Sequence, residues 1–117
     1  MIVVRDVFQL KFGKAREAQA LWQEGREFMK GDKMKDVRIL TDLAGGPYYT
    51  LVMETTYDTL TDFESEMHDT LNDDWRKWYQ RFVPLVDGGH REIFNVVGKE
   101  VPPLKTAEER GRKTARA

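Results

Sequence analysis

The sequence predicts an α+β fold of element order β-α-β-β-α-β, a small sheet carrying both helices on one face. Three observations predict it: apolar residues alternate along the first dozen positions, recur at helical spacing in two later stretches, and return to strand character around Ala44-Gly45-Gly46-Pro47 and again near the end. Such a protomer buries one sheet face under its helices and closes the other most readily against a second copy.

Ile2, Val4, Phe8, Leu10 and Phe12 share one parity and Val3, Arg5, Val7, Gln9 and Lys11 the other, so Ile2 to Lys11 reads as a strand. Both of its faces are partly apolar, as expected of a strand with helices on one side and a partner sheet on the other. Gly13 ends it. Ala18, Leu21, Trp22, Gly25, Phe28 and Met29 then recur at helical spacing and predict a helix over 14–30, with Gly31 as its stop. Val37 to Leu43 and Tyr48 to Tyr57 predict two antiparallel strands, because Gly45-Gly46-Pro47 suits a hairpin turn and not a ladder. Thr59 with Asp62 and Thr61 with Glu64 are hydroxyl-to-carboxylate capping pairs ahead of a stripe of Leu60, Phe63, Met67 and Leu71. Trp75, Trp78 and Phe82 continue that stripe, and Asn72-Asp73-Asp74 can break the helix and recap a second segment. After Asp87-Gly88-Gly89, Arg91 to Val97 is the final strand.

The 117 residues fit one domain, and residues 1–98 carry nearly all the apolar periodicity. Residues 1–98 hold 13 Lys/Arg against 17 Asp/Glu, while the polar tail 99–117 holds 6 against 3. An acidic core argues against nucleic acid as a partner. No apolar run is long enough to cross a bilayer and no secretory signal is visible, so the expectation is a cytoplasmic protein with no membrane partner. The absence of cysteine removes disulfides, thiolate metal sites and a thiol nucleophile, and two distant histidines do not make a metal site. Gly45-Gly46 leads into a strand and cannot act as a phosphate loop. The only serine, Ser65, lacks the context of a nucleophile. No cofactor is expected.

Six residues are candidates for chemistry. Asp6 shares its parity with Ile2, Val4, Phe8 and Leu10, where an ionised carboxylate is costly unless paired; it reads as a general acid or base, or as half of an ion pair. His68 would have Glu64 one turn before it and Trp75 two turns after it on a continuous helix, so Glu64 could orient an imidazole base; a histidine at the helix surface is the other reading. Trp75 and Tyr79 suit a pocket edge, where a polar tip stays hydrated, whereas Trp78 suits the core. Glu54, between Met53 and Thr55, is a second carboxylate for a binding site or for an interface salt bridge. His90 fits a loop or a strand edge.

The run Val4-Arg5-Asp6-Val7-Phe8-Gln9-Leu10-Lys11-Phe12-Gly13-Lys14, the helix Asp74-Trp75-Arg76-Lys77-Trp78-Tyr79-Gln80-Arg81-Phe82 and the closing Arg91-Glu92-Ile93-Phe94 resemble the NIPSNAP-like branch of the dimeric α+β barrel superfamily. The resemblance covers residues 1–98. It implies a ferredoxin-like protomer whose four-stranded antiparallel sheet packs on that of its partner in a homodimer, with a pocket between sheet and helices. The wider superfamily includes cofactor-free monooxygenases, isomerases, haem-degrading enzymes and ligand-sensing domains. Haem-degrading relatives pair a helix histidine with a strand asparagine and an upstream tryptophan; here Trp75 follows His68 and Asp6 stands in the strand, which argues against haem. The leading expectation is a homodimer that binds a small organic molecule. If it is an enzyme, it would act by cofactor-free oxygenation or isomerisation of an aromatic or polyketide-like compound. Asp6 or His68 would move a proton, with Glu54, Glu64, Trp75 and Tyr79 in the binding site. The alternative is a non-catalytic structural or stress-associated interaction dimer.

Overall fold

Four strands form one antiparallel sheet in a computed structural model that describes residues 1–28, 33–69 and 73–98. The strands are β1 (Ile2–Leu10), β2 (Lys35–Thr41), β3 (Thr50–Tyr57) and β4 (Val86–Asn95), in the order β2-β3-β1-β4. Helix α1 (Ala15–Gly25) connects β1 to β2, and α2 (Leu60–Asp69) and α3 (Asp73–Phe82) connect β3 to β4. The tail 99–117 lies outside the described residues.

The parity of β1 decides what the sheet buries. Ile2, Val4 and Leu10 are buried beneath the helices together with Leu51, Met53, Thr55 and Tyr57 of β3, which occupy matching positions in the register. Helix α1 contributes Ala18, Leu21 and Trp22, and α3 contributes Trp78 and Phe82. The two helices are locked at one point: Trp78, 2% exposed, donates its indole N–H to the carbonyl of Leu21 at 2.7 Å. A Cβ at Gly25 would lie 2.5 Å from the same ring. Only glycine lets α3 come this close to α1.

The opposite sheet face carries a charged rung across all four strands. Arg38 of β2, Glu54 of β3, Arg5 of β1 and Glu92 of β4 stand side by side in the register. Arg38 pairs with Glu54, Arg5 Nε lies 3.5 Å from Glu54 and Arg5 Nη1 lies 3.9 Å from Glu92, whose other oxygen is 3.2 Å from His90 Nε2. Val3 and Phe94 flank this rung on one side, and Val7, Val52 and Leu40 stand level with one another on the other.

The structure refines the predicted boundaries. The stretch predicted as one helix over 14–30 ends as α-helix at Gly25 and tightens into a 3-10 turn, Arg26–Phe28; positions 29–31 lie outside the described residues. The stripe from Leu60 to Phe82 is two helices, with Thr59 Oγ1 accepting from the backbone N–H of Asp62 at 3.1 Å to cap the first. Asp87-Gly88-Gly89, placed ahead of a final strand expected over Arg91 to Val97, belongs to β4, which runs from Val86 to Asn95. The reason is steric, since a Cβ at Gly89 would sit 2.5 Å from the carbonyl oxygen of Val7 on the neighbouring strand. In the hairpin, Gly45 and Gly46 take positive φ as the turn requires, and β2 begins earlier than predicted, at Lys35, with an irregular register before Arg38.

Candidate functional site

The buried apolar residues under the helices fall into two clusters. One comprises Leu10, Ala18, Leu21, Trp22, Leu51, Met53, Trp78 and Phe82; the other comprises Ile2, Val4, Tyr57 and Phe63. Along β1 the residue between Val4 and Phe8 on this face is Asp6. A carboxylate cannot be packed dry among apolar neighbours, so the two clusters do not merge there. A cavity of about 700 Å³ opens at the junction, bounded by members of both clusters. Its volume falls within the usual range for small-molecule sites, about 300–1,000 Å³.

The wall is mostly aromatic and thioether. Phe8 and Trp22 contribute from β1 and α1, Tyr57 and Phe63 from β3 and α2, and Trp75, Tyr79 and Phe82 from α3, with Met34, Met53 and Met67 between them. Trp75 stacks on both Trp78 and Tyr79, with ring centroids 5.0 and 5.7 Å apart. This stack makes α3 a stiff aromatic side to the cavity. Trp22 Nε1–H is shielded from solvent and has no acceptor among the described residues.

Polar groups on the wall centre on one ion pair. Asp6 and Arg91 face each other in the β1–β4 register, and Arg91 Nε donates to Asp6 Oδ1 at 2.6 Å. The guanidinium also lies over the Phe63 ring, 5.1 Å from its centroid. Thr55 and Tyr57, on the same face of β3, add two hydroxyls. Burial pushes the Tyr57 phenol up to about 12, with Glu66 and Asp6 acting in the same direction and Arg91 against it. At neutral pH the phenol is therefore a neutral hydrogen-bond donor.

Of the six candidates, Asp6, Trp75 and Tyr79 line the cavity and Glu54, Glu64 and His68 do not. Glu54 has the opposite parity on β3 and belongs to the charged rung on the far sheet face. His68 and Glu64 are exposed on α2. The helix phase that would have aligned them with Trp75 is lost because α2 ends at Asp69 and α3 begins afresh at Asp73. His90 contributes to the wall, but its imidazole reaches Glu92. Sequence reasoning gave no site role to Arg91, which carries no local signal; pairing the parity of β4 with that of β1 would have placed it opposite Asp6. Among the described residues, no group of three or more His, Asp or Glu side chains is placed to hold a metal ion, and no helix is long and apolar enough to cross a membrane.

The sequence matches no protein-family model and no curated protein. Solved structures are similar in fold. A NIPSNAP domain protein from Burkholderia xenovorans superposes with a TM-score of 0.76 at 18% identity, over 87% of this chain and 99% of the other. A NIPSNAP-like domain protein from the same organism gives 0.70 at 22% identity, over 92% and 96% of the two chains. A candidate antibiotic biosynthesis monooxygenase from Nitrosomonas europaea gives 0.66 at 12% identity, over 84% and 100%.

Proposed function

We propose, from the fold this chain shares with NIPSNAP domain proteins, that it is a homodimeric small-molecule-binding protein whose ligand is a compact aromatic or polyketide-like compound held between sheet and helices. The observation that carries this reading is the cavity at the junction of two core clusters, aromatic on most sides and polar at one ion pair. The dimer is supported by the outer sheet face, where Val3, Val7, Leu40, Val52 and Phe94 surround the charged rung on the side away from the described helices, with Phe94 about half exposed. A second copy of the same face is the simplest cover.

Binding is favoured over turnover by the state of the proton carriers. Asp6 already accepts a hydrogen bond from Arg91, His68 stands outside the cavity, and the Tyr57 phenol holds its proton. A base would have to be freed before it could act on a substrate.

The test uses 1-anilinonaphthalene-8-sulfonate, an apolar aromatic probe, with light scattering on the same sample. The expected result is saturable fluorescence enhancement at one probe per chain and a mass twice the 13.7 kDa of the protomer. Met67→Trp fills the cavity from the exposed side of α2 and should weaken probe binding severalfold. Probe binding indifferent to that substitution would overturn the cavity as the site, and a monomer at micromolar concentration would overturn the dimer.

A further inference from the structure

We propose that the ligand of this cavity is an aromatic monocarboxylic acid whose carboxylate is taken by the two Nη groups of Arg91; the proposal rests on the cavity being the binding site. Asp6 takes only one edge of the guanidinium. Its Oδ1 accepts from Nε at 2.6 Å, and no hydrogen bond or ion pair joins Arg91 Nη1 or Nη2 to any other described residue. The plane is therefore held from the side while its end, two parallel N–H donors, stays open. That end matches the two oxygens of a carboxylate. Of the two partners Arg91 is the more accessible, with its side chain 42% exposed against 19% for Asp6.

Charge and shape narrow the ligand further. The wall carries Arg76 and Arg91 against Asp6 and Asp87, so its formal charge balances without a ligand. A monoanion on the open fork adds one charge beside a cation already in place, whereas a dianion such as a phosphate monoester would bring a second charge that Arg91, already shared with Asp6, does not balance. A cationic ligand would have to displace Arg91 from Asp6. The body that follows the carboxylate meets Phe63 and Tyr57 beside the guanidinium, then the methionines and Phe8 and Trp22 beyond. Flat aromatic surface suits those faces, and thioethers adapt to its edges. Tyr57 and Thr55 stand within the same wall to donate to a ring oxygen.

The experiment compares 2-naphthoate with the neutral 2-naphthalenemethanol by isothermal titration calorimetry on the full chain. The acid should bind at least about tenfold tighter, the gain of a charge-assisted bidentate contact over a neutral one. Arg91→Gln should bring the two affinities together, and Lys77→Gln, exposed on α3 outside the cavity wall, should leave the preference for the acid in place. Equal affinity of acid and alcohol in the unaltered chain, or a preference that survives Arg91→Gln, would overturn the proposal while leaving the cavity as a binding site. Failure of both naphthalenes to bind would overturn the cavity reading itself, and this proposal with it. If Arg91→Gln does not fold, the comparison of the two ligands on the unaltered chain decides alone.

Discussion

Replacing Gly25 by alanine should cost this protein about 2–4 kcal/mol. The new methyl would lie 2.5 Å from Trp78 Cε2 and 2.7 Å from Cζ2, about 1 Å inside a normal carbon contact. The ring has little room to retreat. Its N–H is bonded to Leu21, Trp22 meets it edge-on at 4.8 Å and Phe82 stacks on it at 5.9 Å. Overpacking of this kind costs about 1–3 kcal/mol, and pulling the indole away strands a buried donor for about 1–3 more. Against this stands the gain of alanine over glycine in a helix, about 1 kcal/mol at most and less at the last helical residue. At about 4 °C per kcal/mol for a domain of this size, the melting temperature should fall by roughly 8–16 °C. Thermal melts followed by near-UV circular dichroism measure it. A second arm uses Trp78→Phe, which removes the atoms in conflict, so that Gly25→Ala should cost less in that background. A melting temperature within about 3 °C of the parent, or equal costs in both backgrounds, would refute the argument that the α1–α3 contact is set by this glycine.

Two further outcomes follow from the charged groups. Glu54→Gln leaves Arg5 and Arg38 facing a neutral amide; because Arg38 is well exposed, the cost should be modest, about 1–2 kcal/mol by urea unfolding, with a weaker dimer by light scattering. Tyr57 has its pKa raised in the folded state, so the unfolded chain loses that proton first. Its contribution to stability is intact below about pH 10 and is lost as pH rises towards about 12. Urea midpoints of the parent should fall more steeply across that window than those of Tyr57→Phe, and parallel profiles would contradict the assignment.

The element order was legible because each signal was local: alternation in β1, the Gly45-Gly46-Pro47 turn, and the Thr59 cap that the structure places on the N–H of Asp62. What was hidden depended on partners distant in sequence. Gly88-Gly89 read alone does not look like strand interior, and only the carbonyl of Val7 shows that Gly89 serves close approach between strands. The parity of Asp6 did identify a carboxylate on the helix-facing side of the sheet. Its partner Arg91 is 85 residues away and becomes visible only through the β1–β4 register. The grouping of Glu64, His68 and Trp75 assumed a continuous helix, and a new helix at Asp73 resets the angular phase. Glu54 was weighed as a binding carboxylate or an interface salt bridge, and the pleat puts it with Arg5 and Arg38.

The order of charges across the outer sheet face is itself a symmetry element. From β2 to β4 the rung reads Arg38, Glu54, Arg5, Glu92, a sequence of plus, minus, plus, minus. Half a turn about an axis parallel to the strands, between β3 and β1, reverses that order, so Arg38 faces the position of Glu92 and Glu54 that of Arg5. Half a turn about an axis along the rung sets every charge opposite its own copy. The sheet face is thus electrostatically complementary to its own copy under one half-turn and repels it under the perpendicular one.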